Sequence, residues 1–221
     1  MNTADAVRFL DRAEGGRLLA GRLKVRTLRR PLVLGIPRGG VVTAAALAHE
    51  LGAELDVVLA RKLRAPHQPE FALGAVSEDG EVTLNPDAAL AGAGYHHLEA
   101  ERRHQLAEIA RRRELYRAVR PQAPVAGRTV IVADDGLATG STMIAALRAT
   151  RTGRPHELIA AVPVASPDRL EQVWQLCDDV VCLSAPDDFL AVGQFYEWFP
   201  PIEDEEVVAI LREALENTSR N

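Results

Sequence analysis

The stretch VIVADDGLATGST, residues 130–142, decides the fold of this chain. Its aliphatic start predicts a buried strand, which ends in two consecutive carboxylates, Asp134 and Asp135. A loop of small residues then leads directly into a helix. In a parallel α/β sheet the carboxyl ends of the strands face the ligand crevice. Both acids and the loop are therefore expected at a binding site.

The loop Ala138-Thr139-Gly140-Ser141-Thr142 has the chemistry of a monophosphate cradle. Gly140 permits close approach of the backbone, successive N–H groups and a helix N-terminus favour an anion, and three hydroxyls can donate further hydrogen bonds. The two acids just ahead of the loop would repel a phosphate bound there. They are therefore expected to bind a neutral polyol or a metal beside the phosphate. The pattern favours a sugar phosphate. The alternative is an acidic turn in which Thr139 or Ser141 only caps the helix.

Strands and helices alternate on both sides of this stretch, which is typical of a parallel sheet with crossover helices. Strands are expected at 32–37, 55–60, 129–133, 157–165 and 179–183, and helices at 5–23, 39–52, 96–118, 140–151, 167–177 and 204–216. The helix at 5–23 is interrupted by two glycines and is expected as one helix or a helix pair. A loop from residue 63 and a strand pair, 71–76 and 81–85, break the alternation.

Composition limits the class of protein. The 221 residues are 47% hydrophobic and 26% charged, which fits one folded domain with a small appendage and excludes wholesale disorder. The formal net charge of −5 argues against broad nucleic-acid binding, because binding by phosphate neutralisation needs a basic face. Of 26 basic residues only Lys24 and Lys62 are lysines.

Several simpler expectations follow from the sequence. GxxxxGK[ST] and GxGxxG do not occur, which argues against a nucleoside triphosphatase and a dinucleotide enzyme. The six histidines show no ligand spacing, so we expect no protein-bound metal, and Cys177 and Cys182 are expected as buried free thiols. Neither a signal pattern nor a membrane-length apolar run is present, so a cytoplasmic location is expected.

The stretch 130–142 resembles the signature of the type I phosphoribosyltransferases: a hydrophobic strand, two acids and a TG-containing loop. In that family the acids hold the ribose hydroxyls of phosphoribosyl pyrophosphate (PRPP), and the loop holds its 5′-phosphate. The resemblance assigns the first role to Asp134 and Asp135 and the second to Ala138, Thr139, Gly140, Ser141 and Thr142.

Two other segments fit the same family. Arg38, Gly39 and Gly40 follow the first strand and resemble the loop that binds pyrophosphate, and Arg61-Lys62 resembles the Arg-Lys pair that precedes a mobile loop. Each is open to a plainer interpretation, a tight turn for the first and a solvated strand end for the second. Together they imply that Arg38, Arg61 and Lys62 bind the pyrophosphate, and that Arg38, Lys62 and the two acids are catalytic.

The resemblance extends over most of residues 9–199 to a branch of bacterial proteins through GIPRGGV, ARKLRAPHQPEFALGAV and FLAVGQFYEWF. It implies a type I phosphoribosyltransferase fold, with a mainly parallel sheet flanked by helices and a small hood. The whole chain, 1–221, would form one domain with a core at about 24–62 and 125–185. The hood would come from about 63–95 and 186–221.

The implied reaction is attack of a nitrogenous base on C1 of PRPP, with Mg²⁺ held through PRPP, in nucleotide metabolism. The loop 63–75 would close over the site, and Glu70 is a candidate for the acceptor's proton, although a loop-surface glutamate is the plainer interpretation. Phe189, Phe195 and Tyr196 could stack on the base or pack in the core.

Hypoxanthine and guanine are disfavoured as acceptors, because their transferases carry an aspartate where this loop has Ala138. A PRPP sensor without transferase activity, and an RNA-binding regulator ranked below it, remain alternatives. A homodimer is implied by analogy alone.

Overall fold

Short segments rich in aliphatic residues form the central strands, and helices begin within a few residues of several of them. The computed structural model describes residues 8–66, 72–78, 80–84 and 94–218. The elements in chain order are α1 (Arg12–Leu23), β1 (Leu32–Gly35), α2 (Gly39–Leu51), β2 (Glu54–Val57), β3 (Ala60–Arg64), β4 (Ala72–Ser77), β5 (Val82–Leu84), α3 (Tyr95–Arg117), β6 (Thr129–Ala133), α4 (Ser141–Thr152), β7 (Glu157–Val164), α5 (Pro167–Trp174), β8 (Asp179–Ser184), a 3-10 helix (Val192–Phe195) and α6 (Asp204–Thr218).

The central sheet has five strands in the order β2-β1-β6-β7-β8, and its neighbouring strands run parallel. The chain leaves β1 through α2 toward β2 on one side, and it leaves β6 through α4 toward β7 on the other. The carboxyl ends of β1 and β6 therefore meet where the winding direction changes, which is where open α/β sheets bind ligands. The expected α/β class with a mainly parallel sheet is confirmed.

A second sheet of three antiparallel strands, β3-β4-β5, forms the small hood. The expected strand pair is present as β4 and β5. The expectation of one strand over 55–60 is wrong, because β2 ends at Val57 and Ala60 already begins β3. Val58 and Leu59 are buried at this break, so the apolar run continues through it and hides it in the sequence. The expectation of a loop over 63–75 is wrong at both ends, because β3 runs to Arg64 and β4 begins at Ala72. Residues 67–71 lie outside the described residues.

The N-terminal glycines lie inside one continuous helix, α1, whose N-cap Asp11 accepts a hydrogen bond from the backbone of Glu14 at 2.8 Å. A Cβ on Gly16 would lie 2.3 Å from the backbone oxygen of Thr43 on α2. The absence of a side chain thus lets α1 and α2 pack in close contact.

The C-terminal helix was expected in the hood, but it packs into the main core. Ile202, Val207 and Leu211 belong to the same buried cluster as Leu23 of α1 and Leu47 of α2. The apolar face of α6 is therefore covered by the central layers.

The cysteines were expected as buried free thiols. Both are free but only half-buried, and burial raises the pKa of each thiol to about 11. Among the described helices none is long and apolar enough to cross a membrane.

Candidate active site

The loops that follow β1 and β6 touch each other at the switch point of the sheet. A Cβ built on Gly39 would lie 2.0 Å from Oδ2 of Asp135, and one built on Gly40 would lie 2.5 Å from Oδ1 of Asp134. Any side chain at either glycine would displace a carboxylate. These segments lie about a hundred residues apart in the sequence. The parallel pairing of β1 with β6 brings them together.

Asp134 and Asp135 are partly buried. Oδ1 of Asp134 accepts a hydrogen bond from the backbone N–H of Asp135 at 2.9 Å. Burial raises the pKa of Asp134 well above its usual range, and the neighbouring charge of Asp135 raises it further. Burial also raises the pKa of Asp135, although the guanidinium of Arg12 opposes that rise. The pair thus forms a site of concentrated acceptor oxygens that is sensitive to the charges around it.

Arg12, at the first turn of α1, is a site residue that the sequence reasoning missed. Its Nε lies 2.7 Å from Oδ2 of Asp135, and its side chain is 8% exposed. Its Nη1 donates to the carbonyl of Pro200 at 2.7 Å, and its Cζ lies 3.6 Å from the centre of the Phe199 ring.

The signal for this role was the position of Arg12 on α1. The helix buries Arg12 together with Gly15, Gly16, Leu19, Ala20 and Leu23, at spacings of three and four. An arginine on the buried stripe of a helix needs an acceptor or anion inside the protein. The identity of that partner depends on packing.

The aromatic residues considered for base stacking are largely packed into the protein. Phe195 and Tyr196 are 2% and 3% exposed and share a core cluster with Phe9. Phe189 stacks on Phe195, with ring centres 5.4 Å apart. Burial of Phe195 and Tyr196 leaves no ring face for a base, so core packing explains them and the stacking interpretation fails for these two. Stacking on Phe189, which is half-buried, stays a prediction.

The candidate phosphate loop runs across the N-terminus of α4. Gly140 is the N-cap, with φ of 76° in the left-handed region, and no side chain caps the helix there. The alternative in which Thr139 or Ser141 is the N-cap is therefore wrong. Ala138 and Thr139 are exposed, whereas Ser141 is buried. No N-cap side chain caps the first backbone N–H groups of α4, and the loop beside them is exposed. This arrangement suits an anion.

Arg38 lies at the carboxyl end of β1, where the sequence predicted it. Its Nη1 is 2.5 Å from Oε2 of Glu203, the residue just before α6. Both side chains are partly exposed, so this ion pair is open to exchange with another anion.

Arg61 and Lys62 do not lie at the end of β2, as expected, but inside β3 of the small sheet. Successive residues of a strand point to opposite faces. Nε of Arg61 donates to Oε1 of Gln105 on α3 at 2.5 Å, so Arg61 faces α3. Lys62 is the neighbour of Ala75 across the sheet and shares a face with Ala60.

That second face packs toward α4. Ala60 and Ala75 belong to a buried cluster with Met143 and Ile144, both in the first turn of α4. The strand places Lys62 on the side of the phosphate loop and Arg61 on the side of α3. Burial lowers the pKa of Arg61, and the nearby positive charge of Arg112 lowers it further. The two side chains therefore leave the strand on opposite faces, and a joint role of Arg61 and Lys62 on one pyrophosphate stays a prediction. Glu70 lies outside the described residues.

The chain matches a family model described as the phosphoribosyl transferase domain over residues 13–198. A curated protein of Mycobacterium tuberculosis, whose name assigns it provisionally to the phosphoribosyl transferases, is 42% identical over 210 residues. The match covers 93% of this chain and 47% of that protein, and the corresponding protein of a second strain gives the same values. The chain thus spans about half the length of the curated relatives it matches.

Among solved structures, a protein of Thermus thermophilus is 50% identical to this chain, with a TM-score of 0.80. The match covers 93% of this chain and 98% of that one. The two chains therefore share their fold over nearly all of their lengths.

Proposed function

This chain belongs to the phosphoribosyl transferase domain family, and we propose that it transfers the 5-phosphoribosyl group of PRPP to a nitrogenous base, with release of pyrophosphate and with dependence on Mg²⁺. One observation carries the proposal. The acid pair after β6 and the glycine loop after β1 are in contact at the switch point of the parallel sheet. That arrangement offers oxygen acceptors for a polyol directly beside amides and cations for phosphates.

Donor binding divides among three groups of residues in this proposal. Asp134 and Asp135 accept hydrogen bonds from the ribose hydroxyls. The loop 138–142 and the N-terminus of α4 hold the 5′-phosphate. Arg38, the amides of Gly39 and Gly40, and Lys62 hold the pyrophosphate, while Arg61, which faces α3, contributes its charge from farther away.

In the reaction, a nitrogen lone pair of the base forms a bond to C1 as the bond from C1 to the pyrophosphate oxygen breaks. The leaving pyrophosphate keeps the bonding electrons, and the proton that the base nitrogen loses passes to water. The ribose carries positive charge in the transition state, and the leaving group gains negative charge. Arg38 and Lys62 stabilise that negative charge, and the two carboxylates fix the ribose that carries the positive charge.

The proposal includes a magnesium ion, which prefers oxygen ligands. Among residues 8–66, 72–78, 80–84 and 94–218, no group of three or more His, Cys, Asp or Glu side chains could hold a metal ion. In this proposal Mg²⁺ would be held through PRPP. When bound there, it neutralises part of the charge of the leaving pyrophosphate.

The ion pair between Arg38 and Glu203 affects how Arg38 can bind pyrophosphate. Because Nη1 of Arg38 is already paired, the pyrophosphate must share the guanidinium with Glu203 or replace it. Exchange is feasible because the Glu203 side chain is 59% exposed and can return to water.

The test is to incubate the protein with Mg²⁺, PRPP and a panel of nucleobases and to measure pyrophosphate. Release is expected with one base or base class, and it should be lost in Asp135→Asn. Glu205→Gln, an exposed carboxyl on α6, is the matched control and should keep full activity.

Tight binding of PRPP without pyrophosphate release under any base would overturn the transferase proposal and favour a PRPP sensor. Failure to bind PRPP at all would overturn both. The acceptor base, a homodimer and a cytoplasmic location stay predictions.

A further inference from the structure

We propose that Arg12 is a positioning residue for Asp135: it holds one carboxylate oxygen so that the other is presented to the ribose of PRPP. The inference rests on the proposed function, because it concerns how the acid pair receives that substrate. It adds a residue from α1 to a site that the sequence placed entirely on the loops after the strands.

The first argument is the occupancy of the carboxylate. Oδ2 of Asp135 lies 2.7 Å from Nε of Arg12 and directly beside Gly39, where a Cβ would be 2.0 Å away. This oxygen is enclosed by α1 and by the loop after β1. The guanidinium therefore sets the orientation of the carboxylate, and in this proposal Oδ1 is the oxygen that accepts from a ribose hydroxyl.

The second argument is that Arg12 is itself fixed from several sides. Its Nη1 donates to the carbonyl of Pro200 at 2.7 Å, and its Cζ stacks on the Phe199 ring at 3.6 Å. Phe199 stacks in turn on Tyr196, with ring centres 4.8 Å apart, and the Tyr196 hydroxyl donates to the backbone carbonyl of Asp135 at 2.5 Å. The stacked rings of Phe199 and Tyr196 therefore support both the guanidinium of Arg12 and the backbone of Asp135.

The support joins two distant parts of the chain. The backbone N–H of Phe9 donates to the carbonyl of Phe195, and that of Trp198 donates to the carbonyl of Leu10, at 2.8 and 2.9 Å. These bonds fix the segment before α1 against the segment that carries Phe199. A flexible surface arginine would lack such a frame, so the geometry is that of a preorganised group.

The third argument is electrostatic. The groups that face Asp135 are Arg12 from α1, Asp134 from its own loop, Gly39 from the loop before α2, and the Tyr196 hydroxyl from the C-terminal segment. Burial disfavours ionisation of Asp135 and raises its pKa. The guanidinium of Arg12 opposes this effect, so it favours an ionised Asp135 that can accept a hydrogen bond from a ribose hydroxyl.

The test is to measure the Kd of PRPP with Mg²⁺ by titration calorimetry at several pH values, from acidic to basic. Arg12→Gln is compared with Arg17→Gln, a matched change on the exposed face of the same helix. Arg12→Gln should weaken binding about tenfold, which corresponds to about 1.4 kcal/mol of lost binding free energy. Loss of the guanidinium leaves the pKa of Asp135 higher, so the defect should be largest at the acid end and should shrink as pH rises. Arg17→Gln should match the wild type throughout.

Arg12→Lys keeps the charge but loses the planar contact with Phe199, so its affinity should be intermediate and its pH dependence close to that of the wild type. This variant also decides the question if Arg12→Gln does not fold. In an Asp135→Asn background, Arg12→Gln should cause no further loss, because it acts through that carboxylate.

Wild-type affinity in Arg12→Gln, or a defect that is the same at every pH and adds fully to that of Asp135→Asn, would overturn the positioning role while leaving the proposed function intact. Absence of PRPP binding in the wild-type protein would instead overturn the proposed function, and the role of Arg12 with it.

Discussion

At the scale of the residue, the side chains of Arg61 and Lys62 are neighbours in sequence but point to opposite faces of β3. Lys62 lies on the face that packs toward α4, whereas Arg61 contacts Gln105 of α3 on the other face. The sequence suggested that the two would act together. Their alternation along the strand gives Lys62 the face nearer the candidate phosphate loop.

Substitution of Lys62 is expected to affect the use of PRPP. Lys62→Ala removes a compact positive charge from the site proposed for the pyrophosphate, and it should raise the KM for PRPP about tenfold, the effect of about 1.4 kcal/mol of lost binding. The measurement is pyrophosphate release at varied PRPP concentration. Lys24→Ala is the control, because Lys24 is paired with Glu50 at 2.6 Å on the surface. Equal KM values for the two variants would contradict the assignment of Lys62.

At the scale of the element, the contact between α1 and α2 supports the site indirectly. α1 presents Arg12 to Asp135, and α2 begins with the glycines that contact both acids. The close packing of the two helices depends on Gly16, which faces the backbone of Thr43. A glycine that appeared in the sequence as a helix interruption is thus a packing residue.

Gly16→Ala should destabilise the protein although alanine favours helix. The added Cβ would lie 2.3 Å from the backbone oxygen of Thr43 and 2.9 Å from Cβ of Ala46, so the helices must separate. Overpacking of this kind costs about 1–3 kcal/mol of unfolding free energy. Urea denaturation measures the loss.

Gly21→Ala on the same helix is the control. A Cβ at Gly21 meets nothing within 4 Å, so this change should stabilise the protein by about 0.5–1 kcal/mol through helix propensity. A stabilising effect of both substitutions would show that α1 and α2 are not in close contact.

At the scale of the whole molecule, the C-terminal segment connects the site to α3. Asp204, at the start of α6, accepts hydrogen bonds from the Tyr116 hydroxyl and from Nη2 of Arg111, each at 2.5 Å. Glu203, the preceding residue, contacts Arg38. The anchoring of α6 on α3 thereby fixes where a carboxylate meets the candidate pyrophosphate loop.

Asp204→Asn should lower the unfolding free energy by about 1.5–3 kcal/mol near neutral pH, the range for a hydrogen-bonded charged group. Burial acts to raise the pKa of Asp204, but the hydrogen bonds from Arg111 and Tyr116 outweigh it and lower the pKa. The ionised carboxylate thus stabilises the fold above the ordinary aspartate pKa, and this contribution disappears as pH falls through the lowered value. The difference from wild type should therefore shrink in acid.

The measurement for this prediction is thermal or urea unfolding over a range of pH. Glu205→Gln, the exposed neighbour, should unfold like the wild type at every pH. A deficit in Asp204→Asn that persists undiminished in acid would rule out the ionised carboxylate as its source.

The sequence by itself determined the alternation of strands and helices, the class of sheet, and the positions of Asp134, Asp135, Arg38 and the loop 138–142 at strand ends. These features follow from local periodicity and turn chemistry, which neighbouring residues encode. The tertiary structure alone decided the break after Val57. It also decided the opposite directions of Arg61 and Lys62, the burial of α6, and the pairing of Arg12 with Asp135. Those outcomes depend on contacts between residues up to 188 positions apart, and such contacts exist only once the elements have packed.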